Sequence, residues 1–521
     1  MKNKIKYIIL GSLLFSASGI APKVFAQGDK SRTAAALDLT KDKSSWMQSA
    51  NASGLIFEDH ETYNDLNIGY KWNKGIFRRP QQGEKNNNLF INTEGAINLG
   101  KTYVWGKFAF TKEKVTGSDY NASIIDPYRG MPYYVADTNI SDWKNQFYDL
   151  DFKVATPITK SLSIGLSGSY KAQLGAKQRD PRTENRLMYL DLKPGVTYAF
   201  NEHHHLGVNL EYFSLKEESN MTNINDYVDQ TYYALYGLGT SVKGLGAGRT
   251  TNYEGNDVGG ALQYFYSNCG VKFIMQGSIN AKVEDANVSF STPKKEGTVK
   301  DWVRTGMASL HLDRPKYLHM ISVDFLSRSI DGIQYINQRD NTESQSGWMD
   351  LYSNIRSTYE TNTLNAEYAL YKKRGSEYTW NVHAALKYNR QNDEYIMPHS
   401  ELKYENMIVA VGGKLNIKAC DKLSKRVLLT ADVNYSSNLS GIYKYGGANA
   451  DSPIVTDFMQ RDFNYLTSDS YGVRASAKYS QKIKENDSYQ VYAGGTFNWT
   501  KARDYNYGHR TVAELNFGFI F

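Results

Sequence analysis

The chain ends in Ala513-Glu514-Leu515-Asn516-Phe517-Gly518-Phe519-Ile520-Phe521. Every odd position of this stretch is apolar, whereas Glu514, Asn516 and Gly518 occupy even positions. Successive side chains of a β-strand point to opposite faces, so a period of two predicts a strand with one apolar and one polar face. The last nine residues therefore predict a terminal strand that turns one face toward an apolar environment.

The same alternation recurs from Tyr63 to the C-terminus, with turn-forming residues between the runs. The apolar face of each run tends to carry an aromatic residue near one end and small aliphatic residues in the middle, which is typical of lipid-facing strands. Many runs reach ten residues or more, longer than the five or six usual in a soluble sandwich, which is the alternative. The clearest runs lie at 162–170, 380–388, 427–435, 471–479 and 489–499.

Short and long breaks alternate along the chain. We place short breaks at 100–101, 157–160, 201–203, 268–269, 313–316, 373–376, 420–425 and 484–487. We place long ones at 74–88, 117–145, 172–186, 218–256, 331–353 and 441–468. Short periplasmic turns and long extracellular loops are the rule for outer-membrane barrels. The sequence thus predicts an all-β fold over residues 63–521: a closed antiparallel transmembrane β-barrel of about eighteen strands, with sixteen as the alternative.

The N-terminus has the pattern of a secretory signal peptide over residues 1–26. Lys2, Lys4 and Lys6 precede an apolar stretch at 7–20, and Val24-Phe25-Ala26 gives the small residues of a cleavage site. Residues 27–62 are polar with one short helical stretch, and we interpret them as a periplasmic N-terminal segment. Export combined with a barrel predicts a location in the cell outer membrane.

Composition agrees with this interpretation and excludes other classes of protein. The chain has 521 residues, 40 of them Tyr, and a mean hydropathy of −0.55. This polarity excludes a helical membrane bundle, while a barrel needs an apolar residue only at every second position. The net charge of +7 falls to +3 without the four Lys of the signal peptide, and no basic stripe predicts nucleic-acid binding. The two cysteines, Cys269 and Cys420, exclude a disulfide-rich scaffold; we favour separate thiols over a disulfide between them.

The polar faces of the predicted strands would line the lumen of the barrel. They carry both signs of charge, so no ring of one sign predicts ion selectivity. Either an open wet channel or a lumen filled by loops fits this composition. The predicted lumen residues are Asp149, Asp151, Glu211, Asp432, Arg474, Lys478 and Glu514.

Arginine, proline and tyrosine are concentrated in three of the breaks. Together these residues would form a basic and aromatic mouth suited to an anionic or sugar-like ligand. The alternative is that these loops fold inward and plug the barrel. The candidate ligand residues are Arg78, Arg79, Arg129, Tyr133, Tyr134, Arg179 and Arg182.

No catalytic constellation or metal-binding spacing is evident, so we predict a protein that is not an enzyme and needs no cofactor or metal. Asp257, His399, Glu401 and His509 are the residues that a rim enzyme would draw on, but no spacing singles them out. The histidine run 203–205 sits at a predicted short turn, where adjacent side chains point in alternate directions.

Two resemblances add to this interpretation. The terminal strand resembles that of bacterial outer-membrane proteins, whose final aromatic residue, here Phe521, is read by the barrel assembly machinery. The mature chain resembles a Gram-negative outer-membrane barrel family of unknown function. The motifs that carry this resemblance are SWMQS at 45–49, RPQQG at 79–83, NTEG at 92–95, DPYRG at 126–130, GAKQRDPR at 175–182 and EESNM at 217–221.

The resemblance implies a barrel embedded in outer-membrane lipid that acts beside a TonB-linked uptake system or a surface lipoprotein. It supplies no catalytic residues. We therefore expect a porin-like channel or an accessory to the uptake of a nutrient or metal chelate. A rim hydrolase of lipid or peptide and a structural or assembly partner with a plugged lumen stay as alternatives. A TonB-dependent transporter is disfavoured, because such barrels have about 22 strands and a plugged lumen.

Overall fold

The computed structural model describes residues 33–521, except 122, 226, 229, 247, 290, 343–344 and 485–488. The predicted signal peptide, residues 1–26, and the start of the N-terminal segment lie outside the described residues. Among the described helices, none combines the length and the apolar character needed to cross a membrane.

Eighteen antiparallel strands form one closed sheet, which confirms the predicted fold class and strand number. Each barrel strand pairs with the next along the chain, and pairing of the first with the last closes the ring, as at Ile68 opposite Phe517. The strands of the chain are β1 (Tyr63–Gly75), β2 (Lys85–Leu99), β3 (Thr102–Ser118), β4 (Val135–Ala136), β5 (Ser141–Pro157), β6 (Leu162–Lys177), β7 (Arg182–Ala199), β8 (His204–Thr222), β9 (Thr231–Gly237), β10 (Thr240–Leu245), β11 (Arg249–Asn268), β12 (Val271–Val288), β13 (Lys294–Asp313), β14 (Tyr317–Thr342), β15 (Gln345–Arg374), β16 (Glu377–Tyr395), β17 (Ser400–Cys420), β18 (Lys425–Lys444), β19 (Ser470–Lys482), β20 (Gln490–Ala502) and β21 (His509–Ile520).

Three strands and the helices of the described residues are not part of this ring. Strands β4, β9 and β10 form a small separate sheet in the loops. The helices are α1 (Ala34–Lys43), α2 (Ser45–Gln48), a 3-10 helix (Ala52–Phe57), a π-helix (Ile454–Met459) and α3 (Gln460–Leu466).

The outer surface of the barrel carries the apolar face of the strands. Leu210, Leu262 and Phe517 expose 66%, 61% and 61% of their surface. A continuous apolar surface of this kind around the barrel would be unfavourable in water. Lipid covers such a surface, and closure leaves no strand edge unpaired within it. The protein is thus an outer-membrane β-barrel, as predicted.

Two of the predicted long loops are wrong. The breaks at 172–186 and 331–353 are mostly strand, since β6 and β7 leave only four residues between them and β14–β15 pairing continues to Thr342 opposite Gln345. Beyond the lipid both faces of a strand meet water, so the apolar–polar alternation stops while backbone pairing goes on. The alternation therefore marks the membrane band rather than the strand ends.

The N-terminal segment lies inside the barrel, at the end bearing the short turns. We expected residues 27–62 as a periplasmic N-terminal segment; the described residues 33–57, which we call the plug, fill this end of the lumen. Ala35, Trp46, Ala52 and Leu55 are fully buried there. They pack against inward-facing apolar residues from much of the barrel circumference: Tyr63, Ala96, Tyr103, Ala155, Phe265, Ile274, Leu318, Ala369, Tyr371, Tyr378, Leu428, Tyr492 and Ile520.

Glycine allows the plug to approach the wall. A Cβ on Gly165 would lie 2.4 Å from the backbone nitrogen of Ser53, and one on Gly195 would lie 2.3 Å from the Asn51 side chain. Neither position tolerates a larger residue while the plug is seated, because such distances are well inside van der Waals contact.

Loops close the opposite end of the barrel. We call the described residues within 119–140, 223–248 and 445–469 the cap. Their side chains, including fully buried Tyr133 and Ile454, form one apolar cluster with the inner wall of β7, β8 and β11–β14. The lumen is thus covered at both ends, with a polar section of wall between them.

The C-terminal residue offers a first test of the sequence interpretation. Phe521 donates its backbone N–H to the carbonyl of Asn64 at 3.0 Å and stacks on Phe519 at 5.2 Å. We predict that Phe521→Ala lowers the amount of folded barrel in the outer membrane severalfold, because the assembly signal is lost. Phe517→Ala, which removes an even more exposed lipid-facing ring but keeps the final aromatic, should have a much smaller effect in the same heat-modifiability assay on membranes. Equal losses would contradict the assigned signal.

Candidate ligand cavity and lumen

A cavity of about 240 Å³ lies between the cap and the inner wall formed by the outer parts of β14–β17. Four tyrosines contribute to its lining, together with polar side chains from two neighbouring strands and apolar residues of the cap. The lining includes Arg79, Tyr128, Tyr134, Arg328, Tyr359, Thr361, Gln391, Asp393, Tyr404 and Asp462.

Arg79 enters the cavity from the β1–β2 loop and is neutralised there. Its Nε and Nη2 atoms donate to the two carboxylate oxygens of Asp462, at 2.6 and 2.5 Å. The guanidinium also lies over the ring of Tyr128 at 4.0 Å. A bidentate pair stacked on an aromatic ring fixes both partners and ties the loop to α3.

Arg129 anchors the first cap loop to the barrel wall. The buried guanidinium forms ion pairs with Glu217 of β8 and with Glu284 of β12, the latter at 2.8 Å. It lies 5.0 Å from the ring centroid of Tyr253. The carbonyl of Arg129 accepts from Arg328 at 2.6 Å. One residue thus attaches the loop to several strands.

A row of polar side chains follows β15 and β16 from the cavity toward the lumen. The Thr361 hydroxyl donates to the Gln391 carbonyl oxygen at 2.6 Å, and the Gln391 amide donates to Asp393. One step inward, Thr363 donates to Asn389 at 2.8 Å. We call these five residues the polar ladder. Asp393 forms no ion pair with any residue that the structure describes.

Asp393 lies beyond the membrane band, at the outer end of β16. The lipid-side face of the same strands carries the pairs Arg390–Glu405 and Glu394–Lys403, which require water rather than hydrocarbon. Burial raises the pKa of Asp393 to about 7, while the nearby Arg79 opposes this rise. The carboxyl therefore changes its protonation state near neutral pH.

This shift predicts a pH-dependent stability. The folded pKa lies above the usual value of about 3.9, so ionised Asp393 destabilises the fold, and stability falls as pH rises between these two values. Asp393→Asn should raise the melting temperature in detergent at pH 8 and change it little at pH 4. Gln391, Arg79, Asp462 and Tyr404 act on this carboxyl and stay unchanged in the variant. A larger gain at pH 4 than at pH 8 would refute the assignment.

The predicted ligand residues do not form one basic mouth. Arg79 and Tyr134 line the cavity, whereas Arg78 donates to the backbone of its own loop at Pro80 and Gln82. Arg129 and Tyr133 are buried inside the cap. Arg179 and Arg182 lie at the β6–β7 turn, where Arg182 pairs with Asp180. The inward-folding alternative therefore describes the cap loop, and the guanidinium groups of Arg79 and Arg129 are satisfied internally.

The predicted lumen residues alternate with lipid-facing neighbours along their strands. Glu211 lies 3.3 Å from Lys193, and Asp432 lies 2.9 Å from His383 and opposite Arg474 in register. This placement gives a mixed-charge wall between plug and cap. The remaining members of the set are Asp149, Asp151, Lys478 and Glu514.

The residues considered for catalysis or metal binding are dispersed. Asp257 is in β11, His399 and Glu401 are at the β16–β17 turn, and His509 begins β21. Among the described residues, no group of three or more His, Cys, Asp or Glu could hold a metal ion.

The histidines at 203–205 do not share one set of contacts, and the two cysteines are not bonded to each other. His204 contacts the Tyr264 hydroxyl at 2.8 Å, whereas His205 packs against Phe57 of the plug. Cys269 and Cys420 are free thiols.

Comparison with known proteins identifies the family. Residues 52–521 match a family of unknown function, DUF6850. The chain belongs to this family. The match includes the 3-10 helix of the plug as well as the whole barrel. A search of curated proteins found no significant match.

Solved outer-membrane proteins resemble this DUF6850 chain at low identity. The ferric preacinetobactin receptor BauA from Acinetobacter baumannii is 10% identical, with 89% of this chain and 80% of that chain covered and a TM-score of 0.39. A FadL homologue from Pseudomonas aeruginosa is 10% identical, with 90% and 91% covered and a TM-score of 0.32. The siderophore receptor PiuA from Acinetobacter baumannii is 8% identical, with 88% and 82% covered and a TM-score of 0.37.

The plug and the polar ladder were not predicted from the sequence. A signal for the plug was present: near several short turns both strand faces are apolar, as at Tyr264-Phe265-Tyr266 and Tyr317-Leu318, so an inward partner was required. The ladder had no such signal, because threonine and asparagine on an inward face fit any wet lumen.

Proposed function

We propose that this protein is a gated uptake barrel of the outer membrane. A small solute enters the cavity under the cap, and it passes into the periplasm when the plug leaves its seat. The observation that carries this proposal is the arrangement of a ligand-sized cavity, a polar inner wall and a separate N-terminal plug along one lumen. An always-open porin is disfavoured by the same arrangement.

The contacts between plug and wall support a reversible seat. Some of them are ion pairs: Lys41–Glu94 at 2.9 Å and Lys43–Asp313 at 3.0 Å. Partly exposed ion pairs such as these contribute little net stability, since water replaces each partner at small cost. The large apolar side chains that leave a buried site when the plug moves are Leu37, Leu39, Trp46 and Leu55.

The side chain of Asn51 also holds the plug to the barrel wall through hydrogen bonds. Its amide donates to Gln263 at 3.0 Å and to the carbonyl of Val196 at 3.0 Å. The neighbouring Ser53 hydroxyl lies 2.6 Å from the Thr197 hydroxyl. This cluster specifies one seated position, since all of these partners are lost together if the plug shifts.

A role beside a partner protein is the second candidate, favoured by the projecting β14–β15 hairpin. Its outer part, above the polar stretch at Ser327 and Ser329, exposes Ile336, Leu351 and Tyr352 by 53–55% of their surface. Exposed apolar residues in water mark interaction sites. Purification from native membranes with and without the changes Ile336→Ser and Leu351→Ser tests this role: a partner lost from the variant supports it, and no difference removes it.

The uptake proposal is tested in the native host by following every small solute of the growth medium at once. Loss of medium components is compared between the wild type, a deletion strain, and the deletion strain carrying Ser53→Cys/Thr197→Cys with both native cysteines changed to Ser. The 2.6 Å oxygen separation at these positions suits a disulfide that fixes the plug. At least one small solute should be consumed by the wild type alone. Identical consumption by all three strains would overturn the proposal.

A further inference from the structure

The cavity under the cap has a chemistry that selects its ligand. We propose that it takes a small polyhydroxylated molecule, uncharged or carrying one ammonium group, of about the size of a monosaccharide, and that it rejects anions. This inference rests on the proposed function, since it names the class of solute that the gated barrel takes.

Charge is the first argument. Among the described residues, two cationic side chains line the cavity, and each already forms an ion pair. Arg79 pairs with Asp462, and Arg328 donates to Asp301 at 2.7 to 3.2 Å. Asp393 is the lining carboxyl without an ionic partner among the described residues. An anion in the cavity would lie near the Asp393 carboxyl and near no unpaired cation, whereas an ammonium group would form an ion pair with that carboxyl.

The polar ladder supplies the hydrogen bonds. Threonine hydroxyls, amide groups and a carboxyl offer donors and acceptors in a row on neighbouring strands, at Thr361, Gln391 and Asp393. A molecule with several hydroxyl groups can satisfy such a row, because each hydroxyl both donates and accepts. Thr363 and Asn389 continue the row toward the lumen and give the same molecule a second position further in.

Aromatic rings and size restrict the ligand further. The rings of Tyr128, Tyr134, Tyr359 and Tyr404 present flat apolar surface with a hydroxyl at the edge, which suits the C–H face of a sugar ring. The volume of about 240 Å³ lies below the range of roughly 300–1,000 Å³ that encloses drug-sized ligands. One ring therefore fits in the closed cavity, and a large chelate does not.

Binding of three pyranose probes of equal size to the full-length protein in detergent tests the proposal. Glucose, glucosamine and glucuronate are compared by saturation-transfer NMR at pH 7.5, with the wild type, Asp393→Asn and Glu394→Gln. Glu394 is the matched control, because it is the next carboxyl along the same strand but faces outward to Lys403.

We expect glucosamine and glucose to bind and glucuronate to give no signal. Asp393→Asn should weaken glucosamine at least tenfold and glucose less than threefold, while Glu394→Gln changes neither. Three outcomes overturn the proposal: tighter binding of glucuronate than of glucosamine, unchanged glucosamine affinity in Asp393→Asn, or no binding of any probe. These outcomes concern only the ligand class. Failure of the uptake function shows separately, as equal solute consumption with and without the protein.

Discussion

Deletion of the plug, residues 33–57, is expected to turn the closed barrel into an ion-conducting channel in planar bilayers. The plug fills the inner end of an eighteen-stranded barrel, and barrels of 16–18 strands enclose an aqueous channel when nothing blocks them. Cavities of about 240 and 360 Å³ lie between the cap and the barrel wall. Full-length protein should show rare openings or none under the same voltage.

A full-length variant separates unseating from truncation. Gly165→Leu places side-chain atoms where the backbone of Ser53 now lies, so it should produce steps like those of the deletion. Gly277→Leu is the matched control, because a Cβ there meets nothing within 4 Å. Both variants must first show the heat-modifiable mobility of a folded barrel. A folded Gly165→Leu protein that stays as silent as Gly277→Leu would contradict the seat described for the plug.

Arg129→Met is expected to cause the largest loss of stability among single changes in the cap. The substitution leaves Glu217 buried without its cation, whereas Glu284 keeps Lys282 at 3.0 Å. Breaking a buried ion pair on one side costs about 3–5 kcal/mol. Glu217 would keep only the hydrogen bond from the Ile125 backbone N–H at 2.7 Å. The free energy of unfolding is measured by denaturant titration of the protein in lipid vesicles.

Two controls accompany the Arg129 variant. Arg186→Met removes a pair with Glu184 in which both side chains are more than half exposed, so it should cost less than about 1 kcal/mol. Adding Glu217→Gln to Arg129→Met should recover much of the loss, since Glu284 keeps its pair with Lys282 and Glu217 no longer buries an unpaired charge. Equal effects of Arg129→Met and Arg186→Met would show that the cap loop is not anchored as described.

The barrel could be predicted from sequence because the features that mark a lipid-facing strand lie within a few residues of one another along the chain. A period of two, an aromatic residue near each strand end and a chain ending in Phe521 each follow from a strand whose one face meets lipid. The fourteen breaks recognised in the sequence separate only fifteen strands, because the β12–β13, β16–β17 and β20–β21 connections were not among them. Strand ends were less predictable, because β14 and β15 continue into water, where neither face has to be apolar.

The interior could be predicted only in part, because it depends on contacts between distant parts of the chain. Nothing local to Ser53 and Thr197 reveals that their hydroxyls meet at 2.6 Å. Likewise, the pairing of Arg129 with Glu217 and Glu284 decides whether the arginine faces a ligand or the wall. Composition indicated arginine and tyrosine in the loops but not which of them is satisfied internally.

The most direct test of the gated-barrel account is the current through the Ser53→Cys/Thr197→Cys protein, without its native cysteines, when urea is added on the plug side. The plug is a short helical segment that is not part of the closed sheet, so it should unfold before that sheet does. We predict openings in the reduced protein, their absence after oxidation, and their return on reduction. Openings that persist with the disulfide formed, or a reduced protein that never opens, would contradict the account.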